Sequence, residues 1–141
     1  MPPGITYDLD QRALLSEELK TIMLLAYSCG PNQWFNWDRV GVYSRIPRNS
    51  AKTAAGKGRS KLADYLEHHD GEVSGNLSEI LNSSQVEHML LAYTFQRPQP
   101  VNWDKVGLHS GKSREEAIAT AAEGRRQLEL YFRLLDANSS T

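Results

Sequence analysis

Hydrophobic positions recur with helical period along most of the chain. Leu19, Ile22, Met23, Ala26 and Tyr27 fall at i, i+3, i+4, i+7 and i+8 and predict a helix over 16–28. Val86, Met89, Leu90 and Tyr93 draw the same stripe over 83–94. Ser16 and Ser83 stand where N-caps belong, and Glu18 adds negative charge to the first turn. Trp37/Val40 and Trp103/Val106 are i, i+3 pairs that bury one side of a short second helix. Asn36 and Asn102 are placed to cap it, with Asp38 and Asp104 in its first turn. A third and longest stripe reads Ala51, Ala55, Gly58, Leu62, Tyr65, Leu66, and again Ala117, Ala121, Gly124, Leu128, Tyr131, Phe132. Ser113 and Glu116 make a capping box at its second occurrence, and Pro47 aligns with Ser113 near the first turn of the other.

These stripes are one pattern stated twice. Met23-Leu-Leu-Ala-Tyr27 returns as Met89-Leu-Leu-Ala-Tyr93, and Asn36-Trp-Asp-Arg-Val-Gly41 returns as Asn102-Trp-Asp-Lys-Val-Gly107. The offset of 66 holds without a gap to Leu62/Leu128 and Tyr65/Tyr131. A fixed offset over such a length means two copies of one structural unit. Loops with glycine and proline follow the first helix of each copy, through Gly30 and Pro31 and through Pro98 and Pro100. The expected organisation is therefore all-α: a first three-helix module over 1–70, a polar glycine-containing linker over 71–76, and a second module over 77–141 whose tail from Asn138 frays.

The pattern Leu-Leu-Ala-Tyr, a loop, Asn102-Trp-Asp-Lys-Val-Gly107, then Gly111-Lys-Ser-Arg-Glu-Glu-Ala117 resembles the Myb/SANT-like repeats of fungal nuclear proteins. The resemblance covers about 50 residues of each copy. It implies tandem helix-turn-helix (homeodomain-like) modules, a nuclear setting, and a role in transcription or chromatin with DNA or chromatin proteins as partners. The chain departs from the family pattern at the first-helix tryptophan, near Leu15 and Leu81, and at the third-helix aromatic, replaced by Ala55 and Ala121.

Charge separates the copies. Net charge is −1, yet residues 45–61 hold Arg45, Arg48, Lys52, Lys57, Arg59 and Lys61 with no acid, whereas 111–127 set Lys112, Arg114, Arg125 and Arg126 against Glu115, Glu116 and Glu123. A basic stripe on one face is the usual footprint of a polyanion partner. On the third helix of copy one, Arg48, Asn49, Lys52, Thr53, Gly56, Lys57 and Ser60 face away from the buried stripe. In a helix-turn-helix unit that face enters the major groove, where Arg and Lys read guanine or hold phosphate and Asn reads adenine. Arg45, Arg48, Asn49, Lys52, Thr53, Lys57 and Arg59 are thus the candidate DNA contacts. Arg59, repeated as Arg125 just off the stripe, fits an internal ion pair or a stem laid over apolar surface at least as well. Copy two exposes Ile118, Ala119 and Ala122 among charged residues, so Arg114, Ile118, Ala122 and Arg126 are the candidate protein contacts. The alternative to DNA binding is a protein-interaction scaffold in a chromatin complex.

Other chemistries find little support. The lone Cys29 excludes a disulfide framework within the chain and favours an intracellular setting, and no Cys/His spacing suits zinc. His68, His69, His88 and His109 are not expected to cluster at ligand spacing with acids, and His68-His69-Asp70 is at best a weak helix-end metal motif. Ala55-Gly-Lys-Gly-Arg-Ser60 is glycine-rich but lies inside a helical stripe and lacks phosphate-loop spacing. The expectation is a binding protein without catalysis, cofactor or metal. Neither a signal-peptide pattern at Met1-Pro-Pro-Gly4 nor an apolar run of membrane-spanning length is present, so no membrane partner is expected.

Overall fold

A computed structural model of the chain describes residues 15–30, 35–68, 73, 77–97 and 100–139. The loop prolines Pro31 and Pro98, His69, Asp70 and most of the 71–76 segment lie outside these. Helices follow in the order α1 (Glu17–Ser28), α2 (Trp37–Ser44), α3 (Arg48–Glu67), α4 (Leu77–Ile80), α5 (Ser83–Thr94), α6 (Trp103–Ser110) and α7 (Arg114–Ser139). The one extended pairing among the described residues is an isolated bridge between Phe35 and Gln96, so the fold is all-α. The single-turn α4 carries no periodic signal of its own. α7 continues through Ser139, so the helix reaches into the stretch expected to fray.

Caps explain where the helices begin. Ser16 Oγ accepts from the Leu19 amide (3.1 Å), and Asn36 and Asn102 accept from the Arg39 and Lys105 amides (both 3.1 Å). The cap of α5 is Asn82 rather than Ser83. Its Oδ1 accepts from the Gln85 amide (2.8 Å) while Gln85 Oε1 accepts from the Asn82 amide (3.0 Å), a capping box built from amides. Ser113 and Glu116 form the reciprocal pair expected at α7 (both 3.1 Å). Pro47 caps α3 without a side-chain bond.

The second and third helices of each copy form a tight hairpin. Its turn passes through a left-handed residue, Arg45 (φ 64°) in one copy and Gly111 (φ 72°) in the other. Gly41 and Gly107 let the arms close, since a Cβ would stand 3.0 Å from the Ile46 carbonyl oxygen or 2.6 Å from that of Lys112. Arg48–Asp38 (3.2 Å) and Arg114–Asp104 (3.7 Å) tie the same two arms at equivalent exposed positions.

The two hairpins are exchanged between copies. α3 lies along α5, the first helix of the other copy, and α7 lies along α1. α2 likewise touches α5 and α6 touches α1, while α1 and α5 pack on each other at the centre. Gly58 backs onto Met89 and Gln85, and Gly124 backs onto Met23 and Leu19. The loops obey the same rule: the Asn102 amide donates to the Cys29 carbonyl (3.0 Å), and Phe35 pairs with Gln96. One continuous hydrophobic cluster results, drawing Ile22, Met23, Leu25, Ala55 and Leu62 from copy one and Met89, Leu90, Leu91, Ala121 and Phe132 from copy two. The division at 1–70 and 77–141 therefore describes the repeat, and the core runs across it. In the segment between them the described residue is Val73. Val73 is fully buried and its amide donates to the His109 carbonyl (2.8 Å).

Candidate nucleic-acid interface

The stripe residues Ala51, Ala55, Gly58, Leu62 and Leu66 all face inward on α3, with Tyr65 half-buried. The opposite side is left open. Arg48, Asn49, Ser50, Lys52, Thr53, Lys57, Ser60 and Lys61 are exposed, and copy two does not cover them. Thr53 Oγ1 is bonded to the Asn49 carbonyl (2.9 Å), which holds that hydroxyl against the helix. Asp64 is the first acid along α3, near its far end.

Of the remaining candidate DNA contacts, Arg48 and Arg59 are engaged elsewhere. Arg45 sits in the left-handed turn position, exposed beside the start of α3. Arg48 is shared with Asp38. Arg59 departs from the basic face altogether: its Nε donates to the Tyr27 carbonyl (3.2 Å), its Nη2 donates to the Gly30 carbonyl, and its guanidinium lies over the Tyr27 ring (5.7 Å). It closes the C-terminal end of α1, where carbonyls lack intrahelical partners. Arg125 does the same for α5, donating to the Thr94 carbonyl (3.0 Å) and the Gln96 carbonyl. The identity of these arginines between copies thus reflects a shared helix stop, and Arg59 is withdrawn from the candidate contacts. Tyr27 beneath it is fully buried, and burial pushes its phenol up to about 12.

The exposed side of α3 borders a second element that sequence reasoning missed. Because α3 rests on α5, the start of α5 flanks its polar face. Asn49, Ser50, Thr53, Ala54 and Lys57 form one wall of an open groove of about 460 Å³, and Asn82, Ser84 and Gln85 form the other. The groove runs on past Gly56, Ser60 and Lys61. Among the described residues no carboxylate lines either part. The missing signal is the exchange itself, since nothing in the pattern of copy one points to residues 82–85.

On α7 the candidate protein contacts fall partly together. Ile118, Ala122 and Arg126 line an open groove of about 500 Å³ with Tyr93, Trp103, Leu130 and Arg133. Ile118 is 37% exposed and Leu130 45%, so the floor is solvated apolar surface. Trp37 is buried as a core residue should be, whereas Trp103 is half-buried and lines this groove. Arg114 lies apart, held by Asp104. Arg126 is bonded in bidentate fashion to Glu123 (3.0 and 2.7 Å), and Arg126 and then Gln127 hold that carboxyl down at about 2.

The expectation that the histidines stay clear of acids fails at the end of α3: Asp64, Glu67 and His68 bring their ligand atoms within 4.8 Å of one another, all exposed, because residues three and four apart share a helix face. The His68 Nδ1 is occupied by the Asp64 carbonyl (2.9 Å), which raises the ring's pKa. Cys29 is half-buried, and burial raises its thiol, a setting for an inert side chain rather than a nucleophile. No helix among the described residues is long and apolar enough to cross a membrane. Comparison with known proteins returns no matching family model, no matching curated protein and no matching solved structure.

Proposed function

We propose that the chain is a nuclear DNA- or chromatin-binding protein built from two Myb/SANT-like helix-turn-helix units, in which the α2–α3 hairpin meets duplex DNA and the α7 groove meets protein. The observation that carries this reading is the open face of α3. Lys52, Lys57 and Lys61 stand exposed beside Asn49, Thr53 and Ser60, with no acid on the helix before Asp64. A helix of 20 residues presented by a tight hairpin has the dimensions to lie in a major groove. The lysines supply phosphate neutralisation, and Asn49 is the residue suited to reading a base edge.

Binding of this kind is salt-dependent, because each neutralised phosphate releases counterions. Titration of duplex DNA at low and moderate salt should show the slope of log K against log salt falling by about 0.9 for each contacting lysine removed. Lys52→Ala, Lys57→Ala and Lys61→Ala should each weaken binding while leaving the melting temperature unchanged, because all three are exposed. No binding at low salt, or binding indifferent to all three changes, removes the reading.

A protein-interaction scaffold is the second reading, and the solvated floor of the α7 groove favours it. Ile118→Asp or Ala122→Asp should abolish capture of a chromatin partner without unfolding the chain, since both side chains are exposed. Associations that survive both changes place the partner elsewhere.

A further inference from the structure

The copies diverge in sequence at both walls of one groove at once. Asn49, Ser50, Lys57 and Ser84 line the α3–α5 groove and Ser83 precedes Ser84 in the first turn of α5, and all five are neutral or basic. At the positions 66 residues away stand Glu115, Glu116, Glu123, Glu17 and Glu18. Those glutamates are carried by α7 and α1, the two helices of the reciprocal seam, where Gly124 backs onto Met23 and Leu19. Glu18 of α1 holds Lys112, in the turn between α6 and α7, at 3.0 Å, a pairing across the two copies that neutralises this cation of copy two. Among the described residues no carboxylate lines the α3–α5 groove, whereas five stand at the equivalent positions of α7 and α1, although the core residues beneath are alike. The two walls of each seam come from different copies, so a change of charge confined to one copy could not have produced this difference.

We infer that the DNA-binding surface is composite: it extends from the basic face of α3 across the seam onto the start of α5, so that residues of the second copy, Asn82 and Ser84, lie against the phosphate backbone of the same duplex. The inference rests on the DNA reading above and adds a boundary to it. The acidic α1–α7 seam repels phosphate, so one chain holds one duplex and holds it on one side. A single module cut from the chain lacks half of this surface.

Ser84 offers a test in which stability and binding move in opposite directions. It is exposed in the first turn of α5. Ser84→Glu places an acid where the helix dipole favours it, so the full-length variant should melt no lower than the parent. It also restores the residue type of the acidic seam, and should weaken duplex binding roughly three- to tenfold at low salt, an effect that fades as salt rises. Ser84→Lys should do the reverse, strengthening binding and steepening the salt slope by about 0.9 while lowering the melting temperature slightly. Ala119→Glu, exposed on α7 at the position equivalent to Thr53, adds the same charge and should change duplex binding less than twofold. If both Ser84 variants bind as Ala119→Glu does, the composite surface is overturned, and loss of binding in Lys57→Ala would leave the α3 face standing alone. If the parent chain binds no duplex at low salt, both readings fall together.

Discussion

The exchange of hairpins between copies makes a prediction at Gly58. Replacing this glycine with alanine should favour the folded state by about 1 kcal/mol, the difference in helix propensity. The new methyl, however, would lie 2.5 Å from Met89 Sδ and 3.1 Å from Gln85 Cβ. Met89 is fully buried and has no solvent to swing into, and Gln85 Cβ moves only with the α5 backbone. The helices must part, and overpacking of this kind costs about 1–3 kcal/mol. The net expectation is a loss of about 1 kcal/mol in urea denaturation. Gly124→Ala meets Met23 Sδ at the same 2.5 Å and Met23 is equally buried, but Leu19 Cβ stands at an ordinary 3.6 Å, so it should also destabilise, by less than Gly58→Ala. The decisive measurement is a double-mutant cycle. Met89→Ala by itself should cost about 2–5 kcal/mol. Combined with Gly58→Ala, which fills part of the space it leaves, the pair should be more stable than the sum by about 1 kcal/mol or more. Gly58→Ala with Met23→Ala should instead add to within about 0.5 kcal/mol. Coupling to Met23 and additivity with Met89 would mean that each third helix rests on the first helix of its own copy, and the exchanged fold would be refuted.

Two further outcomes follow from single residues. Arg59→Ala removes the donors that close α1 and should lower stability by about 2 kcal/mol in denaturant, the scale of charged hydrogen bonds to carbonyls; at temperatures where it stays folded it should change duplex binding far less than Lys57→Ala. His88 is buried where the other copy has Ile22, its Nδ1 faces the Ser84 carbonyl (2.6 Å) and so carries the proton, and its Nε2 has no partner. Burial lowers its pKa, so the folded state binds fewer protons than the unfolded one, and its contribution is present above the unfolded value of about 6.5 and lost as pH falls below it. His68, with its pKa raised by the Asp64 carbonyl, works the other way and loses its contribution as pH rises through the raised value. The comparison of parent with His88→Ile isolates the first: the variant should gain stability over the parent at pH 5 relative to pH 7.5, and an unchanged gap between the two pH values would contradict the burial argument.

Much of the fold was legible because each copy checks the other. The caps Ser16, Asn36, Asn102 and Ser113, the inward stripe of α3 and the Trp37/Val40 pair all follow from local pattern, and local pattern acts within a few residues of itself. The cap of α5 was misplaced by one residue because Ser83 and Asn82 are both good caps, and the choice was made by Gln85, whose amide completes the box with Asn82. The basic face of α3 was legible for the same local reason, save for Arg59, whose partners are carbonyls of a helix distant in sequence.

What the pattern could not show is which copy a stripe rests on. Periodicity names the buried face of α3 but not its partner, and duplication makes the two possible partners nearly indistinguishable: Met23 and Met89 occupy the same place in the same motif. The decision lies in connection and shape. Small residues at Ala55 and Gly58 suit close approach to any helix presenting a methionine, and the hairpin of α2 and α3 moves as one piece because Gly41 seats it so tightly. Once one hairpin crosses to the other copy, the vacated first helix is left with an apolar face that only the second hairpin can cover, so the two exchanges must occur together. That coupling is why the grooves beside the core are built from both copies. It is also why surface charge has to be compared seam by seam rather than copy by copy when the binding face is sought.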